Sequence, residues 1–140
     1  MNKLFAITLT LAMFPACINA VNIYSPDRRV AVDFEIDGDG APVYKVELAG
    51  HRVIDDSHLG FNLLDAVPLK DDFELIGQST DSVDETWQPV WGEESEIRSN
   101  YNELLVNMRQ RSTGRLVNIR FRIFDDGVAV SDTPLRAHET

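Results

Sequence analysis

The segment Asp84-Glu85-Thr86-Trp87-Gln88-Pro89-Val90-Trp91-Gly92-Glu93 sets two indoles among carboxylates. Indole faces can stack on a sugar ring while carboxylates accept hydrogen bonds from its hydroxyls, so Asp84, Glu85, Trp87, Trp91 and Glu93 are the candidate carbohydrate contacts. Tryptophan more commonly fills a core or an interface, its N–H finding one partner, and that reading is favoured here. The neighbouring acids Asp84 with Glu85, and Glu93 with Glu94, invite comparison with the acid and base of glycoside cleavage, which stand about 5 to 10 Å apart. Adjacent strand residues point to opposite faces, however, and no surrounding apolar pocket is evident to raise a carboxyl pKa. No catalytic residue is assigned. His51, His58 and His138 lack metal-ligand spacing, and no Asp-rich loop follows the twelve-residue calcium pattern, so no metal or other cofactor is expected.

These residues must be carried by strands. Val30, Val32, Phe34 and Ile36 alternate with Ala31, Asp33 and Glu35, and Gly38-Asp39-Gly40 ends the run. Tyr44, Val46 and Leu48 return, a turn at Ala49-Gly50 leads to Val53-Ile54, and Leu59, Phe61 and Leu63 alternate again. Phe73 and Leu75 suggest a short strand. Asp81 to Glu96 reads as polar and irregular. Leu104, Val106 and Met108 predict a further strand, Ser112-Thr113-Gly114 a turn, and Val117, Ile119, Phe121 and Ile123 the clearest strand, closed by Asp125-Asp126-Gly127. The fold class is all-β, an antiparallel β-sandwich. Arg98, Arg109, Arg111, Arg115, Arg120 and Arg122 follow a stretch dominated by acids, which predicts cross-strand ion pairs on a solvated face.

Bulk properties bound the function. A chain of 140 residues with 44% hydrophobic content supports one domain with a real core. Lys3, the apolar run Leu4 to Phe14 and the small residue Ala20 read as a signal peptide over residues 1–20, so export to the periplasm or medium is expected. The run is shorter than the ~20 residues of a membrane span. Cleavage after Ala20 would remove only Lys3, taking the formal charge from −10 to −11, and would leave no cysteine. Such an acidic surface repels nucleic acid. Phe14-Pro15-Ala16-Cys17 loosely matches a lipid-attachment motif, but Pro15 and the lack of a preceding Leu favour ordinary cleavage.

Asp84-Glu85-Thr86-Trp87, Pro89, Trp91-Gly92-Glu93, Glu96-Ile97-Arg98 and Tyr101-Asn102-Glu103-Leu104 together resemble the signature of the N-terminal domain of glycoside hydrolase family 97. Ser25-Pro26-Asp27, Leu59-Gly60, and Asn118-Ile119-Arg120-Phe121-Arg122 running into Asp125-Asp126-Gly127-Val128-Ala129 are similar too, in the same order. The resemblance implies an exo-acting α-glucosidase or α-galactosidase family, in which a β-super-sandwich precedes a catalytic (β/α)8 barrel. It places the family's catalytic carboxylates and calcium ligands beyond the part matched here, so no residue of this chain inherits those roles.

The expected organisation is a leader over 1–20, an incomplete β-sandwich over 21–130, and an out-of-frame or disordered tail over 131–140, where alternation stops. The genetic code permits an alternate-frame reading of the codons from Val130 as Phe-Arg-Tyr, the continuation the resemblance implies. The expected function is a non-catalytic domain of an exported glycoside hydrolase, itself inactive, whose partner is the missing barrel. The alternative is a free-standing module that binds carbohydrate or protein. Unpaired edges carrying Val117 to Ile123 or Leu104 to Met108 would make the product prone to aggregation.

Overall fold

The computed structural model describes residues 20–91 and 95–135. The leader, including Cys17, lies outside the described residues apart from Ala20, and so do Gly92, Glu93 and Glu94. Eight strands form two sheets, each a meander in which every strand pairs antiparallel with its neighbour in sequence. The first holds β1 (Val21–Tyr24), β2 (Val30–Ile36), β3 (Pro42–Leu48) and β4 (His51–His58). The second holds β5 (Phe73–Trp87), β6 (Ile97–Gln110), β7 (Leu116–Phe124) and β8 (Gly127–Leu135). The expected all-β antiparallel sandwich is what the chain adopts.

Period-two alternation decides which side chains meet between the sheets. Val30, Val32, Phe34 and Val46 face Leu104, Val106, Met108, Val117, Ile119, Phe121 and Ile123, all buried in one cluster. At its centre the Phe121 ring lies 5.7 Å from that of Phe34, tilted by 56°, and 5.8 Å from that of Tyr44. Burying one such aromatic side chain is worth roughly 2–3 kcal/mol.

The turns explain the registers. Between β2 and β3 the Asp37 carboxylate accepts from the N–H groups of Asp39 (3.0 Å) and Ala41 (2.8 Å), a side-chain-stabilised turn. Gly40 in that turn has φ +78°, and a Cβ there would sit 2.8 Å from the backbone nitrogen of Phe73, where β5 begins. The chain therefore needs glycine twice over, for the conformation and for the close approach of the two sheets. Between β3 and β4, Ala49 and Gly50 both take positive φ, the twist that a two-residue hairpin demands.

Residues 59–72 make the one passage between the sheets among the described residues, pinned by the Phe61–Leu69 bridge and by Gln110. Gln110 is fully buried, and its amide donates to the carbonyls of Pro68 (2.8 Å) and Asp71 (3.2 Å) while accepting from the Thr113 hydroxyl (2.7 Å).

Three expectations need correction. The segment from Asp81 is not irregular: β5 continues to Trp87, paired with β6 along its whole length. Its lack of apolar alternation reflects solvent on both faces, and backbone pairing does not require a buried side. Residues 131–135, expected as tail, belong to β8, whose ladder with β7 runs from Phe124↔Gly127 to Leu116↔Leu135. Here β7 supplies the pairing template, and the side chains from Ser131 to Thr133 stay exposed. Residues 136–140 lie outside the described residues. Finally, the strands carrying Leu104 to Met108 and Val117 to Ile123 are interior, and the sheet edges are β1, β4, β5 and β8.

Candidate functional site

The sequence candidates lie on one projecting feature. The β6–β7 ladder spans only Asn102–Arg109 of β6, whereas the β5–β6 ladder continues to Trp87↔Ile97. Val83–Trp87 and Ile97–Tyr101 therefore leave the sheet as a two-stranded arm, about 16 Å long at ~3.3 Å per residue. Directly paired residues share a face, so Val83, Glu85 and Trp87 lie on the outer face with Tyr101, Ser99 and Ile97. Asp84 and Thr86 lie on the inner face with Asn100 and Arg98.

The base of the arm is anchored. The Tyr101 ring is buried against Phe124, 5.0 Å between centroids, with the Arg122 guanidinium 5.0 Å from its centroid. Arg122 also donates to Glu103 at 2.9 Å, and Arg120 stands 3.4 Å from the same carboxylate. Farther along the outer face, Arg109 bonds Glu74 at 2.6 Å. The expected cross-strand ion pairs are present. Each lies toward solvent, where a pair contributes about 0–1 kcal/mol, so they fix register more than they add stability.

Toward the tip the character changes from anchored to bare. Trp87 is 50% exposed, Trp91 88% and Val90 99%. Neither indole fills the core. Two indoles, a valine and the partly exposed Ile97 thus gather at the end of a polar ribbon, an arrangement that can bury apolar area against a second surface.

Asp84 and Glu85 do not form an acid–base pair. They point to opposite faces, and Asp84 is gripped by Arg98 through two hydrogen bonds, Nε to Oδ1 at 2.8 Å and Nη2 to Oδ2 at 2.7 Å. That grip holds the Asp84 carboxyl below its ordinary range. Asp27 and Asp72 are lowered as well, first by the hydroxyls of Ser25 and Ser112 respectively. A general acid for glycoside cleavage needs the opposite shift. Glu93 lies outside the described residues, and His58 stands 3.5 Å from Asp37 on the first sheet.

One feature escaped the sequence reading. Beside the base of the arm, an open cleft of ≈580 Å³ separates β1 and the β1–β2 turn from the middle of β5, with Tyr24, Arg28, Thr80, Asp81, Ser82 and Asn102 in its walls. Those residues come from three distant stretches of chain with no shared motif. Only the packing of one sheet against the other, with the Asn102–Tyr24 hydrogen bond between them, places them together.

Residues 23–131 match the family described as Glycosyl-hydrolase 97 N-terminal. Among solved structures, the chain is similar to a Glycoside Hydrolase Family 97 enzyme from Pseudoalteromonas sp. strain K8 in complex with panose. The identity is 24%, over 85% of this chain and 18% of that one, with a TM-score of 0.79. The same figures hold for a family 97 enzyme from that strain in complex with acarbose. A β-arabinopyranosidase gives 24% identity over 84% of this chain and 18% of its own, with a TM-score of 0.75. At this identity the likenesses establish the fold, and the chain spans under a fifth of the length of those enzymes.

Proposed function

We propose, since the chain belongs to the Glycosyl-hydrolase 97 N-terminal family, that it serves as the exported, non-catalytic β-sandwich of a glycoside hydrolase and docks on the catalytic part through its aromatic arm. The observation that carries this reading is the bare tip: Trp87, Val90 and Trp91 expose more apolar surface than any solvated turn requires. Docking there would bury the indoles, and a rigid aromatic anchor concentrates binding energy at low entropic cost. The lowered Asp84 carboxyl and the separation of Asp84 from Glu85 support a non-catalytic role for the arm. Export is supported by Lys3 followed by Leu4 to Phe14.

The test is to titrate the purified chain, by calorimetry, with the catalytic portion of the Pseudoalteromonas enzyme, and separately to assay the chain alone on aryl α-glucosides and α-galactosides. Saturable association that weakens at least tenfold in a Trp87→Ala, Trp91→Ala variant, with no turnover by the chain alone, is the expected result. Turnover that is lost in Asp84→Asn would overturn the non-catalytic reading. Association indifferent to both tryptophans would overturn the role of the arm.

A second reading has an observation of its own. Both indoles are open to solvent, and two of the similar enzymes were solved with the oligosaccharide-type ligands panose and acarbose. On this view the chain is a free-standing secreted module whose arm stacks on a glycan. Calorimetric binding of maltotriose that disappears in Trp87→Ala would favour it.

A further inference from the structure

We propose that the cleft between the edges of β1 and β5 is a binding site for a neutral pyranose, distinct from the arm and independent of its docking role. The cleft lies where the free edges of the two sheets meet, because β1 pairs only with β2 and β5 only with β6. Its volume of ≈580 Å³ falls in the range of about 300–1,000 Å³ typical of small-molecule sites.

The walls are held in place before any ligand arrives. The Asn102 side chain donates to the Tyr24 carbonyl at 2.7 Å and accepts from the Ser82 hydroxyl at 2.6 Å, tying β1 to the β5–β6 pair across the floor. Tyr24 is partly exposed, and the Arg28 guanidinium stacks 4.7 Å from its ring centroid. Such preorganisation limits the ordering cost of binding.

The remaining valences are those a sugar uses. Arg28 and Asp81 enter no ion pair among the described residues, although both line the cleft. Asp81 spends one carboxylate oxygen on the N–H of Ser82 at 2.8 Å and keeps the other. Vicinal hydroxyls of a pyranose donate to such a carboxylate and accept from a guanidinium at once. A neutral ligand also avoids repulsion by a chain of formal charge −10.

Arg28 has φ +63°, a left-handed conformation that costs a non-glycine residue energy at a position where glycine would be comfortable.

That conformation also provides the decisive variant. Arg28→Gly relieves the turn and removes the guanidinium, so it should fold at least as well as the parent while losing the ligand. The experiment is an amide chemical-shift titration of the mature chain with maltose, and with glycerol as the polyol control. Expected are saturable shifts at Tyr24, Arg28, Asp81, Ser82 and Asn102, at least ~10-fold weaker binding in Arg28→Gly and in Asp81→Ala, and unchanged binding in Trp87→Ala. The proposal is overturned if maltose produces no saturable shifts, if glycerol reproduces them, if they centre on Trp87 to Trp91, or if Arg28→Gly binds as the parent does. Failure here leaves arm docking untouched, because the readouts fall on different residues.

Discussion

Replacing Gln110 with leucine tests how the two sheets are joined. The side chain is fully buried at the end of β6, and its amide is the only one there that reaches both Pro68 and Asp71. Leucine keeps most of the volume but strands both carbonyls and releases Thr113, whose hydroxyl can turn to water. Two carbonyls left without a buried donor cost about 1.5–2 kcal/mol each, offset by roughly 1 kcal/mol from the greater apolarity of leucine, so a net loss of about 2–3 kcal/mol is expected. Against a total stability on the order of 5–15 kcal/mol, that is a large fraction. With a urea m-value of about 2 kcal/mol/M, the midpoint should fall by roughly 1–1.5 M. Far-UV circular dichroism is the proper probe, since both tryptophans sit on or beyond the arm and report poorly on the core. An unchanged midpoint would mean that the 59–72 passage is held without Gln110, by the Phe61–Leu69 bridge and the bonds of Val67 and Asp72. A Gln110→Glu variant, which buries a charge beside two carbonyls, should be worse than leucine.

Gly40→Ala and Gly50→Ala separate conformation from crowding. Both glycines have φ +78°, but only at Gly40 does a Cβ meet backbone, so thermal melts should show a loss of about 1 kcal/mol at Gly50 and two to three times that at Gly40. Equal losses would refute the close approach of the sheets. Asp27, Asp72 and Asp84 all have folded pKa values below the ordinary 3.8. The unfolded chain therefore binds protons first as pH falls, and the stability these groups contribute is present above that value and lost as pH drops through their folded values. Urea midpoints should decline below about pH 5, and the triple Asp→Asn variant should decline less steeply. Trp87→Ala should change the stability of the isolated chain by under about 0.5 kcal/mol. Acrylamide should quench both indoles without denaturant, and a shielded indole would show that the arm is already covered.

Alternation made the core legible. Residues such as Val32, Phe34, Val117, Ile119, Phe121 and Ile123 carry their burial in their spacing, and Gly38-Asp39-Gly40 and Asp125-Asp126-Gly127 mark their turns. The arm was not legible as a strand, because Ser82, Asp84, Thr86 and Glu85 have solvent on both sides and period-two contrast exists only where one side is dry. The tryptophans were recognisable as unusual, but their exposure depends on β6 outrunning β7, a register fact that no local pattern encodes. β8 beyond Val130 was missed for a related reason. The polar, exposed run from Ser131 to Thr133 breaks the apolar rhythm, yet the backbone follows the ladder offered by β7. The cleft of Tyr24, Arg28 and Asp81 is assembled by the packing of one sheet on the other, which no local pattern encodes.

Among the described residues the chain crosses between its sheets only once. All six ladders join strands adjacent in sequence, and β1 to β4 are complete before β5 starts. The sandwich is thus two self-contained ribbons, 21–58 and 73–135, held by an unentangled tether whose Leu64 is 92% exposed. Cleaving the tether near Leu64 would break no hydrogen-bonded ladder. The pieces would retain complementary inner faces, Phe34 and Tyr44 on one and Phe121 on the other. Such a molecule is built for assembly from halves: co-expressed ribbons should find each other through the shared apolar layer, each covering what the other would otherwise leave open to water.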